Sequence, residues 1–247
     1  MTGLFIFILG LAVGSFLNVV VYRLQIKQSI IWPPSHCPKC QAHLSWYENL
    51  PLVSFVFLVG KCRHCRQKIS WQYPLVELAT AIIFLLLFNH FGLTTQLMVW
   101  LVLACFLIII FVYDLRYSLI LDVITVPAII FIFLANLFLG FDWLDLTFGA
   151  IIGGGFFGLQ YLVSSGRWIG DGDIRLGILM GLALGWQMTI VALFLAYIIG
   201  AAFGLILILL KKKTLASEIS FGTFLTFSTV LTVIWGPQIL GFYLGLF

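Results

Sequence analysis

The chain reads as a series of long apolar runs with short polar breaks and one long polar interruption near its start. Spanning a bilayer takes roughly 17–25 apolar residues. Candidate runs fall at Leu4–Tyr22, Pro74–Phe91, Gln96–Tyr113, Val123–Leu139, Leu146–Val163, Ile174–Trp186, Met188–Leu210 and Phe221–Leu244. The sixth run is short and glycine-rich. The pattern predicts an all-α polytopic membrane protein of about eight transmembrane helices, with a small insertion between helices one and two. No basic stretch precedes the first run, which reads as a retained first helix rather than a cleaved signal.

Composition supports the bilayer as solvent. Of the 247 residues, 62% are hydrophobic and 9% are charged, against about 25% charged in a soluble domain. The mean hydropathy is +1.16. The net charge of +4 is therefore no nucleic-acid signal; what matters is where the positive charges fall. With the N-terminus outside, residues 23–73 lie in the cytoplasm with Arg23, Lys27, Lys39, Lys61, Arg63, Arg66 and Lys68. The loop after helix three then holds Arg116, the loop after helix five Arg167 and Arg175, and the loop after helix seven Lys211, Lys212 and Lys213. Every Lys and Arg is cytoplasmic in this arrangement, and one of the opposite loops carries Asp142 and Asp145. The charge pattern predicts an inner-membrane protein with both termini outside. It divides the chain into a first span (1–22), a cytoplasmic cysteine-bearing insertion (23–73) and a seven-helix membrane domain (74–247).

Gly149, Gly153, Gly154, Gly155 and Gly158 thin one face of the fifth span. Small residues at such spacing favour close helix packing; a widened substrate cavity is the other reading.

The insertion carries two C-x2-C knuckles, Cys37-Pro-Lys-Cys40 and Cys62-Arg-His-Cys65, separated by 21 residues. Each knuckle offers two thiolates, and two knuckles complete a tetrahedral shell. Disulfides are disfavoured in the cytoplasm, so the pattern predicts a structural zinc site on Cys37, Cys40, Cys62 and Cys65. A redox pair or unliganded thiols are the alternatives. His36, His43 and His64 stand nearby with no vacancy to fill. Cys105 reads as a small buried apolar residue.

Ionisable groups at the edge of the hydrocarbon are expensive and functional by default. Asp114 lies where helix three reaches the cytoplasm. Asp122 opens helix four, and Asp171 and Asp173 precede helix six within Gly170-Asp171-Gly172-Asp173. All four share one membrane edge. Two carboxyls held close cannot both ionise readily, so one can activate water while the other donates a proton, as peptide hydrolysis requires. The glycines would let the backbone turn tightly beside a substrate strand. By this chemistry alone, a proton or cation path and helix capping by Asp122 or Asp173 remain alternatives. A zinc-bearing scaffold without chemistry is a third.

Taken together, the motifs resemble the type IV prepilin peptidase (leader peptidase/N-methyltransferase) family, membrane aspartic proteases of the G-x-G-D type. The resemblance runs through Gly14-Ser15-Phe16-Leu17-Asn18, Pro34-Ser35-His36 with both knuckles, Trp46-Tyr47-Glu48-Asn49-Leu50-Pro51, Tyr73-Pro74-Leu75-Val76-Glu77, the Asp114-x7-Asp122 stretch, Gly170–Asp173 and Ile219-Ser220-Phe221-Gly222. It implies that Asp114 and Asp173 are the catalytic pair, with Gly170, Gly172 and Asp122 in support. It also implies removal of a basic leader from prepilins or pseudopilins, of type IV pili or type II secretion, after a glycine at the cytoplasmic face. Methylation of the new N-terminus by S-adenosylmethionine would follow. No sequence motif marks the cofactor-binding residues; Glu48 and Glu77 are polar candidates. The chain departs from the family at Ile120-Leu121-Asp122 (often Leu-Pro-Asp), at Asp171 (often Gly) and at Arg175 (usually Lys). None of these removes a catalytic group, although Asp171 adds a negative charge beside the pair.

Overall fold

The computed structural model describes residues 1–32, 34–211 and 219–245. Lys212 and Lys213, which entered the charge argument above, lie outside the described residues. Within them the chain forms α1 (Thr2–Gln25), α2 (Val53–Phe57), α3 (Gln72–Phe91), α4 (Thr95–Tyr117), α5 (Asp122–Phe138), α6 (Trp143–Ser164), α7 (Asp171–Leu209) and α8 (Phe221–Leu244), plus a 3-10 turn at Trp46–Asn49. Six of these (α1, α3, α4, α6, α7 and α8) are long and apolar enough to cross a membrane, and α5 is a shorter apolar helix. Large apolar side chains such as Phe138, Leu162 and Phe194 stand exposed on the helices, as lipid-facing residues do.

The 39-residue α7 is two helices. Gly185 has φ 73° and ψ 173°, which no α-helix accommodates and which glycine adopts without a Cβ penalty. Both ends made by this break are held. Asn136 Nδ2 donates to Leu182 O at 2.8 Å, and Trp186 N donates to Asp145 Oδ1 at 3.4 Å. The chain doubles back here. Gly177 packs on Phe157, while Tyr197 packs on Phe156 and hydrogen-bonds to Gln160. Residues 177 and 197 therefore meet the same turns of α6, whereas a straight helix would separate them by about 30 Å. The sixth and seventh spans expected from the sequence are the two arms of α7, so eight spans fit. The first arm starts earlier than the apolar pattern suggested. Gly170 is the N-cap, and Asp171 and Asp173 lie in the first turn, where the helix dipole favours acidic side chains.

The described chain divides into two compact units, Met1–Ile109 and Ile110–Phe247. In the first, α1 and α3 cross at close range. A Cβ on Gly10 would lie 2.6 Å from Ala81 Cα, and one on Gly14 2.7 Å from Glu77 Cα. Asn18 ties the pair by donating to Tyr73 O at 3.1 Å and accepting from Gln72 Nε2 at 3.2 Å.

In the second unit, α6 packs on the first arm of α7 through glycines from both. Cβ atoms on Gly149 or Gly153 would fall inside the Gly181 or Gly177 backbone, and one on Gly154 would strike Ile178. Gly155 and Gly158 meet nothing within 4 Å. Close packing thus accounts for three of the five glycines and leaves the other two facing outward. Overpacking typically costs about 1–3 kcal/mol, so Gly153→Ala should lower the thermal midpoint in detergent, whereas Gly155→Ala should leave it unchanged.

Candidate active site and metal cluster

The carboxyls of Asp114 and Asp173 are brought together from different helices of the second unit. Asp114 sits in the last turn of α4 and is 4% exposed; Asp173, in the first turn of α7, is 8% exposed. Both lie beside Ile120, which packs on Gly172, the residue before Asp173, and on Gly222, against which Asp114 rests. The start of α8 fixes Asp114, whose Oδ2 accepts from Thr223 N at 2.9 Å. The four leading N–H groups of a helix have no partner inside it, so α8 has this donor to give. Residue 222 has to be glycine for the approach, since a Cβ there would lie 2.8 Å from Asp114 Oδ2.

Ile120 closes the arrangement from the α4–α5 connection. A Cβ on Gly172 would meet Ile120 Cβ at 2.7 Å, and one on Gly222 would meet Ile120 Cδ1 at 2.9 Å. One isoleucine therefore packs on both glycines that flank the pair. Ser118 Oγ and Ser220 Oγ, 2.9 Å apart, join the same two segments nearby. Asp173 Oδ1 is buried and has no hydrogen-bond partner among the described residues. Such an atom carries a desolvation penalty that a bound water or substrate group would relieve.

The other two acidic residues are differently placed. Arg175 donates to Asp171 Oδ2 at 2.6 Å and also to Asp122, and both acceptors are exposed. Asp122 is the first residue of α5, whose N-cap is Leu121 without a side-chain cap bond; its carboxylate goes to Arg175. The negative charge that Asp171 adds is thus countered by a neighbouring guanidinium.

Thr223 and Tyr197 do not stand out in the sequence, and Ile120 does so only as part of a departure from the family pattern. The first contributes a backbone N–H, and its one sequence signal is the glycine before it. Ile120 looks like any apolar loop residue. Tyr197 packs on Phe221, with ring centroids 4.8 Å apart, next to the glycine that Asp114 approaches, and only the reversal at Gly185 brings it there.

In the first unit the four cysteine sulfurs all lie within 4.8 Å of one another, with Cys37 and Cys65 Sγ 3.9 Å apart. The knuckles are built alike. Gln41 N donates to Cys37 O at 2.9 Å and Arg66 N to Cys62 O at 2.9 Å; Cys37 N donates to Ala42 O and Cys62 N to Gln67 O. Gln41 and Arg66 both have positive φ. Backbone N–H groups of Cys65 and His64 pull the Cys62 thiol down to about 7, which readies it as a metal ligand. The Ala42 N–H pulls Cys40 the same way, but burial and the other three thiols outweigh it and leave Cys40 at about 11. Crowded thiols of this kind suit a cation that takes all four as thiolates. Among the described residues this is the group able to hold a metal ion, and no histidine belongs to it.

Glu77 Oε2 accepts from Leu52 N at 2.8 Å and Glu48 Oε2 from Ser45 N at 2.8 Å. Glu48 Oε1 is buried without a partner among the described residues.

Two family models match the chain. The bacterial peptidase A24 N-terminal domain covers residues 8–91, and the type IV leader peptidase family covers residues 101–205. Among curated relatives, a prepilin leader peptidase/N-methyltransferase of Pseudomonas aeruginosa is 35% identical over 96% of this chain and 91% of its own length. One of Bacillus subtilis is 33% identical over 97% of this chain and 96% of its own. One of Myxococcus xanthus is 38% identical over 83% of this chain and 63% of its own. No solved structure matches.

Proposed function

The chain belongs to the type IV leader peptidase family, and from that premise we propose that Asp114 and Asp173 cleave the leader of a prepilin or pseudopilin in the inner membrane. The observation that carries this reading is the buried carboxyl pair. One member is oriented by the Thr223 N–H, and the other has a free oxygen. Like charges this close resist double ionisation, so the pair holds one proton between them. The ionised carboxyl takes a proton from water as the water oxygen adds to the scissile carbonyl. The protonated carboxyl hydrogen-bonds to that carbonyl oxygen, and the C–N bond then breaks with a proton passing to the leaving amine. Gly170 and Gly172 support the turn that enters α7, and Asp122 supports it through Arg175. Among the described residues nothing favours an ion path. The expected topology puts both termini outside and the pair and cysteine insertion on the cytoplasmic side, with residues 74–247 as the peptidase domain.

The four thiols fit zinc, which would cross-link residues 37–65 as a structural ion with no open position. The purified protein should carry one zinc per chain by elemental analysis. Cys62→Ser should lose it and loosen the insertion, seen as faster proteolysis between residues 30 and 70.

The relatives' names include N-methyltransferase, and S-adenosylmethionine would supply the methyl group to the freed amine. Glu48 fits the positively charged end of such a donor, because its Oε1 is buried and unpartnered among the described residues; Glu77 Oε2 is occupied by Leu52 N. Glu48→Gln should therefore leave cleavage intact, lower the methylated fraction and weaken S-adenosylmethionine binding by calorimetry.

Co-expression with a prepilin, in a host lacking its own processing enzyme, tests the whole reading. Mass spectrometry should find a shortened pilin with a methylated N-terminus. Full-length pilin beside a stably inserted protein would reject it.

A further inference from the structure

The insertion contains an apolar stretch that neither the cysteine cluster nor the carboxyl pair uses. Residues 50–59, Leu-Pro-Leu-Val-Ser-Phe-Val-Phe-Leu-Val, lie between the two knuckles. A run of this length is too short to span and is typical of interfacial segments. It folds as the short helix α2, and its apolar side chains turn outward: Val56 is 72% exposed, Phe57 82% and Val59 78%. Phe55 points the other way, onto the ring of Trp71 at 5.0 Å.

The backbone holds α2 in this pose at some cost. Leu52 and Val59, on either side of the helix, have φ of 58° and 51°. Positive φ is strained for any side chain and most for a β-branched one. Strain of this kind at both ends persists only if the surroundings impose it, and one support is visible. Glu77, five residues into α3, accepts from Leu52 N. Five residues of helix amount to about 7.5 Å. The start of α2 therefore sits alongside the membrane-spanning body of α3, at the level where Gly14 of α1 touches Glu77, and not out beyond the helix ends.

Charge completes the picture. From Asn49 to Val76 the chain has no acidic residue, while Lys61, Arg63, Arg66 and Lys68 are all exposed. Trp46 and Trp71 are also exposed, and tryptophan belongs at the bilayer boundary.

We infer that residues 50–59 are an interfacial anchor: Val53, Val56, Phe57 and Val59 insert into the adjoining leaflet while Lys61, Arg63, Arg66 and Lys68 bind anionic lipid headgroups. An apolar face with flanking basic residues is the usual chemistry of such anchors. It would seat the cysteine cluster against the membrane instead of leaving it on a free tether. The inference does not depend on the peptidase reading.

Hydroxyl-radical footprinting of the full chain, reconstituted one copy per nanodisc, tests it. The discs are made of phosphatidylcholine with or without phosphatidylglycerol. With phosphatidylglycerol, oxidation of Val56 and Phe57 should fall severalfold below the rate in the denatured chain. Replacing Lys61, Arg63, Arg66 and Lys68 with Gln should restore part of that oxidation while leaving Phe84, in the α1–α3 core, protected. Oxidation of Phe57 at the denatured rate in both lipids would overturn the anchor. Protection that is indifferent to both phosphatidylglycerol and the Gln changes would overturn the headgroup contact. Protection seen only with two copies per disc would assign the face to a second chain instead.

Discussion

Asp114→Asn and Asp173→Asn are each expected to lower prepilin cleavage by about 10²–10⁴-fold, the range general acid–base groups supply. Asparagine keeps the size of the side chain and an oxygen that can accept from Thr223 N, but it cannot pass a proton. The loss should come without loss of protein. Two buried carboxyls held beside each other gain nothing in stability from a second charge, so either variant should accumulate in the membrane at least as well as the parent. Immunoblots of membrane fractions beside the cleavage assay separate the two effects. A variant that is inactive but also absent would point to misfolding.

Gly222→Ala is expected to show the second-largest effect, a fall of about 10²-fold from a displacement near 1 Å at the reacting group. The new Cβ would stand 2.8 Å from Asp114 Oδ2 and 2.9 Å from Ile120 Cδ1. Neither is easily moved, since Asp114 is held by Thr223 and Ile120 also rests on Gly172. Gly241→Ala is the matched control on the same helix, with nothing within 4 Å of its Cβ. It should cleave at the parental rate. Equal activity of the two variants would mean that the approach of α8 to Asp114 is unimportant.

Much of this is legible in the chain itself. The apolar runs gave the spans, because in lipid a helix must satisfy its own backbone and its length is set by the bilayer. Knuckle spacing brought Cys37, Cys40, Cys62 and Cys65 into one cluster, since C-x2-C geometry is local. Asp114 and Asp173 were singled out by resemblance and by their shared membrane edge. What the sequence left out was long-range. Periodicity could mark Ile174–Trp186 and Met188–Leu210 as apolar, but not that Gly185 folds them back so that Tyr197 reaches Phe221 at the start of α8. The pairing of Arg175 with Asp122 depends on α5 and α7 starting side by side, whereas its pairing with Asp171 is a local i,i+4 contact. Apolar composition could not separate Gly153, pressed on Gly177, from Gly155, which faces outward. The exposed face of α2 was hidden as well, because residues 50–59 lie inside a stretch that is polar on average.

Cleavage by four variants in one proteoliposome assay tests the central claim most directly. Purified prepilin is presented to Asp114→Asn, Asp173→Asn, Asp122→Asn and Asp171→Asn, and initial rates are compared. The pair assignment predicts near-complete loss for the first two and substantial activity for the last two, whose carboxylates are exposed partners of Arg175. A parental rate from Asp114→Asn or Asp173→Asn, or an equal loss from Asp122→Asn, would contradict it.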